Sequence, residues 1–173
     1  VAWAIALWCI GFAAVNLVYE ASGRFSDGPL AEYGPALSVM TWLVVVLKVA
    51  GAGVALLSVT RRPIPVPANL LAVLVWGAFA LLGLYTLGSV VQAVGMVTGL
   101  LGSADRIDAA AVGYVLFFLA GAVGYGVLAV SHSRRSATPT APVLLGVLGA
   151  PVLLGVVLVA VPALLTALGV MPH

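Results

Sequence analysis

The run Met40-Thr-Trp-Leu-Val-Val-Val-Leu-Lys48-Val-Ala-Gly-Ala-Gly-Val-Ala-Leu-Leu-Ser-Val-Thr60 decides how the chain is read. As a helix it is long enough to cross a hydrocarbon core of ~30 Å. It is apolar on every side, whereas a surface helix of a soluble protein keeps one polar face. Its single charge is Lys48. The rest of the chain agrees with this run. Of 173 residues, 64% are hydrophobic and only 7% charged, with a mean hydropathy of +1.25. A soluble domain carries about a quarter charged residues. The expected architecture is therefore all-α, a polytopic transmembrane helix bundle forming one integral membrane domain over residues 1–173.

Composition also excludes several function classes. The formal net charge of +2 rests on seven basic and five acidic residues. That is too sparse for the basic face a nucleic-acid binder needs, so nucleic acid is excluded as a partner. Cys9 is the only cysteine, which rules out an intrachain disulfide or a CxxC redox pair. It reads as a small apolar helix residue.

Working outward from Lys48, five spans are expected, at about 1–20, 38–60, 69–91, 109–130 and 143–170. The first run, Val1 to Tyr19, has no small-x-small cleavage site directly behind its apolar core. It is read as a transmembrane helix and not as a removed leader. Gly and Pro mark 21–37 as a loop with turns, including Asp27-Gly28-Pro29 and Gly34-Pro35. Arg61-Arg62-Pro63-Ile-Pro65-Val-Pro67 stops the second span, because each Pro restricts the residue before it. The apolar stretch from Asn69 to Leu101 would measure ~50 Å as one helix. Its spanning part is therefore expected to end near Val91, with Gln92 to Gly102 as a tilted or interfacial continuation loosened by Gly95, Gly99 and Gly102. Asp105 stands where a helix N-cap belongs, with Asp108 three residues on. Ser131 to Pro142 reads as a polar connector. The fifth span has no charge, and Pro151 and Pro162 fall on nearly the same face, where they could bend it.

Charge sets the expected orientation. With five spans, Arg61, Arg62, Arg134 and Arg135 share one side. The other side holds Glu20, Asp27, Glu32, Asp105 and Asp108 with Arg24 and Arg106. The positive-inside rule makes the double-arginine side cytoplasmic. The chain is thus expected in the cell membrane with its amino terminus cytoplasmic and its carboxyl terminus outside.

Lys48 is the candidate centre of a site. A lysine at mid-helix costs about 2.5–3.5 kcal/mol to insert, so such residues face the bundle interior and pair. Counted from the expected start of its span, Lys48 lies ~15 Å below the outer end. Polar residues gather in the outer half of the neighbouring spans. Asn16 and Glu20 share a face of the first, and Tyr85, Ser89 and Gln92 one of the third. Thr41 lies above Lys48 on its own face, and Tyr114 enters from the fourth. The expectation is an outward-opening polar pocket with Lys48 at its floor and Glu20 near its rim as counter-charge. Asn16, Tyr85, Gln92 and Tyr114 would supply hydrogen bonds. The competing reading is interhelical glue, since such hydrogen bonds hold bundles together at about 0.6–2 kcal/mol each. Gly51, Ala52 and Ala55, Gly95-x-x-x-Gly99 and Ala122-x-x-x-Gly126 offer small-residue faces for helix contact. No His falls within an expected span, so no metal or haem ligand, and no cofactor, is expected.

The segment Leu47-Lys48-Val-Ala-Gly51-Ala-Gly53-Val-Ala-Leu, with Leu84-Tyr85 and Val91-Gln92-Ala-Val-Gly95-Met, resembles a group of small actinobacterial multi-spanning membrane proteins. That group is catalogued as a domain of unknown function. The likeness covers roughly the first four helices. Tyr19-Glu20-Ala-Ser-Gly23 departs from the group's Tyr-Trp-Ala-Leu-Gly-Gly-like run. Tyr114, Phe117 and Phe118 replace its usual Trp-rich fourth helix with an acid. The resemblance implies that Lys48, Tyr85 and Gln92 belong to a shared pattern, and it lends no activity.

Three functions fit the sequence. The leading one is a membrane protein that binds or helps transport a small anionic or amphiphilic molecule in the Lys48 pocket, with membrane lipid as partner. The second is an accessory or structural subunit of a larger membrane complex, a homo- or hetero-oligomer formed through Gly-rich helix faces. The third is a small membrane enzyme acting on a lipid or isoprenoid, in which Lys48 and Glu20 relay protons.

Overall fold

The computed structural model of the chain describes residues 1–23, 33–60, 66–102 and 107–169. Among these residues every regular element is helical and no strand occurs. The elements are α1 (Ala2–Ala21), α2 (Gly34–Leu57), α3 (Ala68–Val97), α4 (Ala109–Arg135), α5 (Thr140–Gly155), a π-helical segment (Val156–Ala160) and α6 (Val161–Ala167). The last three run together, giving five helices long and apolar enough to cross a membrane. The chain is a multi-pass, all-helical membrane protein, as its composition dictates.

The helix ends differ from expectation, each for a local reason. α2 starts at Gly34, inside what reads as a loop, with Pro35 in its first turn. Proline is harmless there, because the first-turn N–H groups have no intrahelical partner and its fixed φ suits the helix. α3 continues unbroken past Val91 to Val97, a length of ~45 Å. It ends in a glycine cap: Gly99 takes φ +75°, and the Leu100 and Leu101 N–H groups donate to the Gly95 carbonyl at 2.8 and 3.0 Å. Such left-handed closures satisfy the carbonyls orphaned at a helix end. Gly95 therefore locks the end of α3 instead of loosening it. A Cβ at Gly95 would meet Leu101 Cδ1 at 2.5 Å, so this small residue seats its own cap.

Asp108, not Asp105, caps α4, its side chain accepting from the Ala111 N–H at 2.7 Å; Asp105 lies outside the described residues. At the other end α4 runs through Ser131–Arg135, which shortens the expected connector and places His132 within the helix. The Ser136 N–H donates to His132 O and the Thr138 N–H to Ser133 O, around Ala137 at φ +45°. In the fifth span the two prolines act differently. Pro151 sits inside α5, whereas Pro162 opens α6 directly after the π segment. Pro162 has no N–H, and its ring crowds the carbonyl four residues back, that of Leu158. The Val161 N–H bonds five residues back to Val156 O, the widened turn of a π bulge. At Pro162 the proline effect is a change of helix type.

The chain forms two compact units, Ser58–Pro151 and Ala2–Leu57 with the chain from Val152 onward. In the second, α1 packs along α2. Most of their buried positions are small, Ala6, Cys9 and Ala13 on α1 and Thr41, Ala52 and Ala55 on α2, with Ile5 and Val45 as the larger ones. In the first, α3 packs along α4, with Leu71, Ala72, Val75, Tyr125, Leu128 and Ala129 as its core. α5 joins through the stripe Pro142, Gly146 and Ala150, spaced four residues apart and buried. A Cβ on Gly146 would stand 2.6 Å from Val73 O and 2.8 Å from Trp76 Cβ, so only glycine permits this approach of α5 to α3. Gly126 lets the Phe79 ring lie against α4, 3.1 Å from where a Cβ would be. The expected Ala122-x-x-x-Gly126 face is thus a helix contact.

Candidate functional site

Lys48 belongs to the α1–α2 hairpin. Its Nζ lies 4.0 Å from the centroid of the Trp8 ring and 4.8 Å from that of Phe12. Trp8 and Phe12 are four residues apart, on one face of α1. Their rings stack at 6.4 Å with 12° between planes, so both present a π face to the ammonium. A cation desolvated over aromatic faces gains ~2 kcal/mol or more, against an insertion cost of about 2.5–3.5 kcal/mol. The two rings therefore offset most of what the charge costs in hydrocarbon. Because α2 starts at Gly34, Lys48 stands ~21 Å along it and ~14 Å from its far end. That is past the middle of α2, and deeper than the expected ~15 Å from the outer end.

Glu20 is at the opposite end of the same hairpin. Ser38 Oγ donates to Glu20 Oε1, tying the end of α1 to the second turn of α2. The antiparallel register that sets Trp8 and Phe12 beside Lys48 also sets Glu20 beside Ser38. Ser38 precedes Lys48 by ten residues, ~15 Å of helix. The hairpin thus gives Glu20 and Lys48 different partners. The second carboxylate oxygen of Glu20 is buried, with no hydrogen-bond partner among the described residues. Burying such an oxygen unpaired costs about 1–3 kcal/mol or more. Asn16 turns to its own helix, Nδ2 donating to Phe12 O at 2.9 Å.

Tyr85, Gln92 and Tyr114 belong to the α3–α4 unit. Tyr85 is 46% exposed, its ring 4.3 Å from that of Phe118. Ser89 Oγ donates to Tyr85 O at 3.0 Å. Gln92 is exposed, and Tyr114 is 55% exposed. Of the six predicted site residues, three thus belong to each unit.

The opposite end of the α3–α4 unit holds a polar cluster that the sequence did not signal. His132 is buried, with Nδ1 3.4 Å from Ser58 O and Nε2 3.1 Å from Ala68 O. Arg135 Nη2 donates to Ser58 O, and Trp76 Nε1 donates to Ser133 Oγ at 2.9 Å. His132 falls in the stretch expected as a polar connector; the extra turns of α4 bring it back over the two ends of the 58–68 connector. Its targets are backbone carbonyls, so no residue type announced them. Comparison of the chain with family models, with curated proteins and with solved structures gave no match.

Proposed function

We propose that this chain is an accessory subunit of a larger membrane assembly, whose intramembrane charge secures its own helices and whose long apolar faces pack on partner helices. The observation that carries this reading is the seat of Lys48 against Trp8 and Phe12. A lysine built to receive an anion would look into a polar cavity, whereas this one meets two aromatic faces of the adjacent helix. Asn16 and Ser89 support the same reading, since both return their hydrogen bonds to their own helices. The orientation that fits has the amino terminus in the cytoplasm and the carboxyl terminus outside, with the arginine pairs on the cytoplasmic side of the cell membrane. The resemblance to small actinobacterial multi-spanning proteins accompanies this reading without adding an activity. Extraction from native membranes in a mild detergent tests it. The protein should migrate with a second membrane protein in a stable assembly, and a clean monomer would sink the reading.

A ligand-binding reading is favoured by one observation, the Glu20 oxygen buried without a hydrogen-bond partner among the described residues. It would accept a hydrogen bond from a small amphiphile, with Lys48 as a packing residue and not the anchor. Mass spectrometry of co-purified small molecules should then show a species that Glu20→Gln loses. The same species in both proteins, or none in either, removes this reading.

A further inference from the structure

Four of the seven basic residues form two arginine pairs, Arg61–Arg62 and Arg134–Arg135. The second pair closes α4, where the unpaired carbonyls of a helix end favour cations. Through His132 and Arg135 this end of α4 bonds Ser58 and Ala68, the two ends of the connector whose sequence carries the first pair. Arg61 and Arg62 themselves lie outside the described residues. Acidic residues are absent from the same stretches: the sequence has no Asp or Glu between Glu32 and Asp105, nor after Asp108. The cluster thus has no carboxylate of its own chain in the elements that build it.

A second observation fits a headgroup depth for this end. Trp76 donates its indole N–H to Ser133, the residue before Arg134, and tryptophans gather at the membrane–water interface, where the indole is half apolar and half wet. Arg134 is exposed beside it. Arg135 is held by Ser58 O and so is fixed in direction. An arginine fork pairs with a phosphate through two parallel N–H bonds, and basic clusters at helix ends bind anionic lipid headgroups. We propose that the Arg134–Arg135 end of α4 binds the phosphate of an anionic phospholipid headgroup.

The full chain, reconstituted in nanodiscs of mixed phosphatidylglycerol and phosphatidylcholine, provides the test, with retained lipid counted by native mass spectrometry. The wild type should retain phosphatidylglycerol over phosphatidylcholine by at least about fivefold, the share of one arginine near a charged surface. Arg134→Gln should lower that preference by about fivefold, and Arg134→Lys should restore only part of it, since an ammonium has the charge but not the fork. Arg134 carries the test because Arg135 also fastens Ser58, so Arg135→Gln would mix binding with packing. Equal retention of the two lipids, or an Arg134→Gln protein as selective as wild type, overturns the proposal. Displacement of the lipid by millimolar inorganic phosphate would assign the site to a soluble phosphate and overturn it as well.

Discussion

Replacing Gly146 with alanine should weaken the protein where the same change three residues on should not. A Cβ at Gly146 would meet Val73 O at 2.6 Å, Trp76 Cβ at 2.8 Å and Gly77 N at 3.0 Å. Two of these are backbone atoms, so no side-chain rotation relieves the contact. Ordinary contact begins near 3.4 Å, so α5 must withdraw from α3 by about 0.8 Å, 3.4 less 2.6. Overpacking of this kind costs ~1–3 kcal/mol, while alanine's better helix propensity returns ~1 kcal/mol. The net loss for Gly146→Ala is then up to ~2 kcal/mol. Gly149 lies on the same helix with nothing within 4 Å of its would-be Cβ, so Gly149→Ala should be neutral or stabilising by up to ~1 kcal/mol. Reversible unfolding in mixed micelles, titrated with dodecyl sulfate and followed by tryptophan fluorescence, measures both. If the two variants unfold at the same detergent fraction, the close approach of α5 to α3 is not what Gly146 provides.

Three further outcomes are expected. Ala137→Gly should stabilise the protein by ~0.5–1 kcal/mol in the same titration, because a left-handed alanine costs ~1–2 kcal/mol and part of the relief is lost to the looser unfolded chain; a destabilised variant would contradict this. Asp108→Ala should cost ~1 kcal/mol and speed amide exchange at Ala111, with Asp108→Asn close to wild type, since either side chain can accept the capping bond; unchanged exchange in the alanine variant would argue against the cap. Lys48→Met and Trp8→Leu should be non-additive, with a coupling of ~1–2 kcal/mol in a double-mutant cycle. Additive effects there would mean that the ammonium draws nothing from the indole.

Reading the five spans needed little more than counting, because apolar length is imposed by the membrane and survives any detail of packing. The helix ends were less legible, since each depends on one residue whose effect is positional. Pro35 starts a helix because it lands in a first turn, Gly95 ends one because Leu101 folds back over it, and Ala137 closes another in a conformation usually left to glycine. Lys48 stood out at once as the anomaly, but its surroundings did not. Oxygen and nitrogen are the ordinary partners of an ammonium, whereas a cation in hydrocarbon can also be met by ring faces. Trp8 and Phe12, four residues apart on α1, were the available signal. Recognising them required the antiparallel register of α1 and α2, which follows from where α2 begins. His132 stayed illegible for another reason, since its neighbours are carbonyls that every residue carries.

The pairing of Lys48 with Trp8 and Phe12 also orders events in time. α1 is synthesised before α2, so both rings are in place when the lysine reaches the bilayer. α2 then inserts beside a helix that already offers the charge a resting place, and α1 serves as a guide for the segment that follows it. Moving the two rings to a later helix would leave the finished contacts unchanged on paper, yet the lysine would have to cross into the lipid before its partners existed. The aromatic pair on α1 therefore bears on how the chain is assembled in the membrane as much as on how it is held there afterwards.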